Sequence, residues 1–228
     1  MAGNGAGQAE RLRAIRDALV DGRPVEPKRP RDPLEELVLT ILSQNTTDAN
    51  CVRGWEGLRA RFGSWDAVLS APEGALEDAI RPAGLAAQKA ATIRTVLRRL
   101  REERGAPSLD HVDGMEDAEA LAYLTEFRGV GVKTAACVLC FALGRPVIPV
   151  DTHVHRIARR LGLVPATASA TRTHEILNED VPPGLRYELH LLLIRHGREV
   201  CRARGPRCSA CPIAGLCPRI GVAGGDAP

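Results

Sequence analysis

Apolar residues recur every three or four positions along most of this chain, and almost nowhere in strict alternation. The first period belongs to helices with one buried face; the second would mark half-buried strands. AERLRAIRDALVDG at 9–22 opens the series, and the proline-broken PVEPKRPRDP at 24–33 interrupts it. PLEELVLTILSQ follows, with Asp32 placed to cap a helix whose first residue is Pro33. Helical stretches then continue through 46–63, 65–71, 73–84, 85–105, 116–127, 129–144, 152–162, 169–181 and 183–201. PVIPVD at 146–151 is short and proline-bounded, and reads as an extended connector. The pattern predicts an all-α protein.

The chain has 228 residues, of which 44% are hydrophobic and only 3% aromatic, so aliphatic side chains must fill the core. The first eight residues are small and glycine-rich, and are expected to form a disordered tail. That start has neither the basic lead nor the apolar segment of a signal peptide, and no stretch suits a membrane span. The expected location is the cytoplasm, in association with the nucleoid.

Net charge is only +3, so charge alone announces no partner. Its distribution is more telling. Arg202, Arg204 and Arg207 lie between cysteines, with Arg195 and Arg198 just ahead. A solvated face explains such a run, but arginines on a rigid loop also suit phosphate.

The cysteines are Cys201, Cys208, Cys211 and Cys217, spaced C-x6-C-x2-C-x5-C. A reducing compartment argues against disulfides. Structural zinc favours two well-separated close pairs. One close pair between two single cysteines suits a cluster with a thiolate at each corner, and zinc remains the alternative on spacing alone. Cys137 and Cys140 share one face of an apolar helix and read as core; Cys51 stands alone.

FRGVGVKT at 127–134 has an apolar residue, a Gly129–Val–Gly131 turn and then a helix start. Such a turn frees backbone N–H groups for a phosphate. Lys133 falls in the first helical turn, where the dipole and any burial disfavour the ammonium form. Asp151 precedes another helix; capping alone explains it, and an ionised carboxylate there can also stabilise positive charge. His153 and His155 are two apart, a spacing that argues against a joint metal site.

GVGVKTA, PVIPVDTHVHR and the four-cysteine signature, in that order, resemble the endonuclease III branch of the helix–hairpin–helix (HhH-GPD) DNA glycosylases. The resemblance runs from about Pro33 to Cys217. It implies a two-lobed helical fold. One lobe is a six-helix bundle over 27–144, with the helix–hairpin–helix at about 116–144. The other combines 9–26 with 145–228 and holds a [4Fe–4S] cluster on the four cysteines, with DNA lying across the cleft. It implies a nucleophile at Lys133 and a catalytic aspartate at Asp151. LSQNTTDAN places a gap-filling amide at Asn45 or Gln44, and IRPAGLAAQKA places an apolar wedge at Leu85.

The implied enzyme is a monomeric bifunctional glycosylase/AP lyase. It would act on duplex DNA carrying an oxidised pyrimidine or an abasic site. The chain departs from the family pattern at Arg128 (usually proline), at Ala86 and Ala87 (usually tyrosine and asparagine) and at Asn45 (usually glutamine). These departures leave open a mismatch or alkylated-base glycosylase. A non-catalytic DNA-binding module is a further alternative, though it would need neither Lys133 nor Asp151.

Overall fold

The computed structural model describes residues 3–29 and 31–222. Eleven α-helices and no strand occur among them. They are α1 (Gly3–Val20), α2 (Pro33–Ser43), α3 (Asp48–Arg61), α4 (Trp65–Ser70), α5 (Ala75–Ile80), α6 (Ala86–Arg104), α7 (Asp117–Thr125), α8 (Val132–Cys137), α9 (Thr152–Arg160), α10 (Ala170–Asp180) and α11 (Arg186–Glu199). The chain forms two compact units, Arg29–Arg145 and the pair of segments Met1–Lys28 and Pro146–Pro228. Met1 and Ala2 of the expected tail, 223–228 of the expected cluster lobe and Pro30 of the linker lie outside the described residues.

In the Arg29–Arg145 unit, α2 sets the pattern. Leu34, Leu37, Val38, Ile41 and Leu42 are all buried, at the i, i+3, i+4, i+7, i+8 positions of one helix face. Asp32 caps that helix by accepting from the Glu35 N–H at 2.8 Å, with Pro33 at the first helical position. α3 approaches its neighbours very closely, and glycine makes this possible. A Cβ at Gly57 would lie 2.3 Å from the Ala79 carbonyl oxygen, and one at Gly54 2.8 Å from the Ala83 Cβ. The stretch 129–144, expected as one apolar helix, divides. Six α-helical residues are followed by a π-helical turn, Val138–Ala142. Cys137 and Cys140 are both buried there.

The other unit packs α1 with the C-terminal helices. Leu12, Ile15 and Leu19 of α1 share a core with Ile157, Leu177, Leu189 and Leu193. α1 starts at Gly3, so helix reaches into the segment expected to be a disordered tail. Arg195 does not sit on a solvated basic face. Its guanidinium donates to the carbonyls of Leu19, Val20 and Arg23 at 2.7, 3.2 and 2.8 Å, closing the C-terminal end of α1.

Candidate active site

The Arg29–Arg145 unit carries the hairpin and both expected DNA-entering loops. The hairpin turns between α7 and α8. Gly129 has φ +89°, a region that favours glycine, and a Cβ there would meet the Thr92 side chain at 2.8 Å. Gly131 has φ −94° and ψ 174°, ordinary extended backbone open to any residue. Of the two hairpin glycines, only Gly129 thus uses an angle that favours glycine.

Lys133 is the second residue of α8 and is half-buried. Its charge acts on Glu36, a residue that the sequence reading missed. Burial pushes the Glu36 carboxyl above the usual carboxylate range. Arg31 at 3.0 Å opposes that shift most, followed by the Thr40 hydroxyl and Lys133. Gln44, at the end of α2, donates to the Thr134 hydroxyl at 3.4 Å, so the expected gap-filling segment touches the hairpin helix.

Asn45 is exposed, with φ +51°. Leu85 has φ +48° and is 54% exposed, next to Gly84 at φ +72°. Leu85 is therefore not packed in the core. It stands at a loop tip in a backbone conformation that costs a β-carbon residue energy.

Asp151 belongs to the other unit, where its backbone is held on several sides. The connector 146–151 forms neither helix nor strand, and Asp151 at its end has extended backbone angles. Asn178 both accepts from the Ile148 N–H at 2.9 Å and donates to the Ile148 carbonyl at 3.1 Å. His190 donates to the Pro149 carbonyl at 2.8 Å, and Arg186 to that of Pro146 at 2.5 Å. At the end of this clamped segment, the Asp151 carboxylate accepts from the N–H groups of His153 and Val154 at 2.9 and 2.8 Å. It caps α9, and one carboxylate oxygen carries both bonds. His153 and His155 have separate partners, Arg156 and the Ala168 carbonyl.

Cys201, Cys208, Cys211 and Cys217 line one cavity together with His196, Ile157 and Ile213. Burial chiefly pushes the Cys211 and Cys217 thiols up, and the neighbouring cysteines add to it. Among the described residues, no three His, Cys, Asp or Glu side chains are grouped as ligands of one metal ion. All four thiols nonetheless share one cavity.

Arg156 and Arg160 of α9 hold this loop, a role for which the motifs gave no candidate. Only Arg159 of the three arginines is exposed. Arg160 donates to the Cys201 sulfur at 3.2 Å and to the carbonyls of Arg202 and Ala203 at 2.7 and 3.2 Å. Arg156 donates to the carbonyls of Cys201 and Gly197 at 2.9 and 3.0 Å. The signal was available in their four-residue spacing, which puts both on one helix face.

His196 lies 3.6 Å from the Cys211 sulfur, and its burial lowers its pKa to about 4, which keeps the ring neutral. Arg202, Arg204 and Arg207 are exposed, as expected for phosphate ligands. Arg207, however, also donates to the Glu199 carbonyl at 2.5 Å and is partly committed to its own chain.

Residues 38–183 match the HhH-GPD superfamily of base excision DNA repair proteins. A candidate DNA glycosylase of Arabidopsis thaliana is 42% identical over 193 residues, covering 80% of this chain and 66% of the plant protein. Endonuclease III of Haemophilus influenzae is 36% identical over 185 residues, covering 81% of this chain and 83% of that enzyme. The fold also superposes on a solved trapped endonuclease III–DNA covalent intermediate, an estranged-adenine complex. The TM-score is 0.76 at 28% identity, over 92% of this chain and 96% of that one. The all-helical fold, the glycine hairpin and these likenesses agree, and the chain belongs to the HhH-GPD superfamily of base excision DNA repair proteins, in its endonuclease III-like branch.

Proposed function

We propose that this protein is a bifunctional DNA glycosylase and AP lyase that excises damaged bases, chiefly oxidised pyrimidines, from duplex DNA. The observation that carries the reading is Lys133, a half-buried amine in the first turn of the hairpin's second helix. A pure binding module needs no such group.

The lesion is flipped out of the stack, which costs least where pairing is already weakened. The neutral Lys133 amine attacks C1′ of the sugar. A nitrogen–carbon bond forms as the bond from C1′ to the base breaks, through an oxocarbenium-like state. The ionised Asp151 stabilises the positive charge on the sugar. The sugar ring opens to a protonated imine on Lys133. Loss of a C2′ proton then expels the 3′ phosphate by β-elimination, and water returns the free amine. Leu85 fills the opened base step, and Asn45 or Gln44 the gap that the flipped base leaves behind.

The C-x6-C-x2-C-x5-C spacing and the shared lining of one cavity favour, on this reading and over a single zinc ion, a [4Fe–4S] cluster with one thiolate for each corner. Such a group would supply rigidity to residues 201–217 and hold Arg202, Arg204 and Arg207 toward phosphate. Damaged duplex DNA is the partner on this reading, and the protein acts as a monomer in the cytoplasm.

Borohydride reduction in the presence of lesion-bearing duplexes tests the chemistry and the substrate together. Wild-type protein is expected to be trapped on oxidised-pyrimidine duplexes, and Lys133→Ala to give no adduct while still binding DNA. Undiminished trapping of the variant refutes the nucleophile. Preference for a mismatch or an alkylated base in the same panel would replace the substrate assignment and leave the chemistry standing.

A further inference from the structure

Asn45 and Leu85 are two of only four non-glycine residues with positive φ among the described residues. Each lies just beyond a fully buried residue, Leu42 in the last turn of α2 and Ala83 at the end of the 3-10 turn Arg81–Ala83. The carbonyls of these two residues share one donor. Lys89, 3% exposed, donates from Nζ to the Leu42 oxygen at 2.7 Å and to the Ala83 oxygen at 2.8 Å. Its own backbone N–H donates to the Leu85 carbonyl at 3.0 Å, so the strut stands one helical turn beyond the tip it supports.

A buried ammonium is costly, and this one has no carboxylate partner at bonding distance among the described residues. Two features of its surroundings offset that cost. The last carbonyls of a helix lack internal partners, and the negative end of the helix dipole favours a cation. Lys89 therefore satisfies the end of α2 and the Ala83 turn together. The Ala83 turn is also fixed from the other side, because α3 meets it at Gly54, with no room for a side chain.

We propose that Lys89 is a positioning residue that sets the spacing between the Asn45 and Leu85 tips, so that both enter the duplex at one base step. This rests on the wedge reading given above. Filling one opened step from both loops requires a fixed separation, and a single side chain bonded to both loop bases supplies it. Loss of that bond frees two strained tips to relax independently, which should harm base extrusion. The imine chemistry at Lys133 should suffer less, because an abasic site has no base to unstack.

Lys89→Met keeps the aliphatic stem and removes the donors. Single-turnover rates are compared on a duplex with a paired lesion and on one with a preformed abasic site. Excision is expected to fall about tenfold or more, and abasic-site cleavage by less than about threefold. In a Leu85→Ala background the same substitution should lower excision by no more than about threefold, since the tip it positions is already gone. Losses that multiply in full would overturn the proposal, as would parallel falls in both rates. If Lys89→Met does not fold, Lys89→Arg carries the test. It keeps the charge but displaces the donors, and it should show the same uneven loss; equal rates of loss overturn the role. Wild-type protein with neither activity would remove the functional reading itself, and this role with it.

Discussion

The two units order their candidate loops by different means. In Arg29–Arg145, the Asn45 and Leu85 tips are excursions of a few residues from long, well-packed helices. They inherit order from their flanks, and one buried lysine and two glycines complete it. In the other unit, residues 201–222 contain only Pro206 and Ile213 as buried residues. Apolar burial is too small there to offset the entropy of ordering so long a segment. Polar ties stand in for a core. Arg156 and Arg160 bind the near end, and Arg11 of α1 reaches the Leu216 carbonyl at 3.0 Å. A short loop can borrow rigidity from its helices, whereas a long one gains most from a cross-link, and on the proposed reading a cluster on the four cysteines supplies it.

Breaking that cross-link should have the largest effect. Cys208→Ser is expected to bleach a brown protein that carries about four irons per chain and little zinc. It should also open residues 201–222 to protease while cleavage within Arg29–Arg145 stays slow. A colourless, zinc-loaded protein with full activity would overturn the cluster assignment. Equal proteolysis of both units would erase the contrast between them.

Next comes Asp151→Asn. Asparagine caps helices as well as aspartate does, so α9 should remain intact. Only the negative charge is lost, and turnover should fall roughly a hundredfold, about 2.7 kcal/mol at the transition state. Lesion binding should change far less. A near-wild-type single-turnover rate would reduce Asp151 to its capping role.

A smaller effect is expected from replacing Arg202 and Arg204 with alanine. Both should weaken binding to damaged and undamaged duplexes alike, because phosphate contacts carry no sequence information. The slope of log K against log salt should flatten by up to about 0.9 per lost contact. Arg207→Ala should add less, since that guanidinium is engaged by the Glu199 carbonyl. An unchanged slope with cluster absorbance intact would show that the long loop faces away from DNA.

The smallest effect concerns pH. His174 is buried beside Asn178, and burial lowers its pKa from the ordinary 6.5. The folded state therefore prefers the neutral ring, and the unfolded chain binds more protons as pH falls below that range. Stability should decline with acid there, and His174→Gln should flatten the decline. Identical pH–stability curves, followed by thermal melting, would contradict this.

Much of the fold was legible in the chain. The apolar period in PLEELVLTILSQ, the Asp32–Pro33 start and the proline-bounded 146–151 each correspond to an observed element. These are local features, set by side-chain spacing and backbone chemistry within a few residues. The break of 129–144 into α and π segments was not legible, because a uniformly apolar run carries no phase.

The candidate site divides in the same way. The hairpin and the cysteine spacing could be read, and Lys133 and Asp151 put forward as candidates, because each belongs to a short motif. Tertiary structure decided the rest. It exposed Leu85 where a core leucine was equally compatible with the sequence, and it turned Arg156 and Arg160 inward to the cysteine loop. It also brought Leu42, Ala83 and Lys89 to one point. Hydrophobic period reports which face of a helix is buried. It does not report which distant carbonyl a buried cation will meet, because that partner is chosen by packing between segments far apart in the chain.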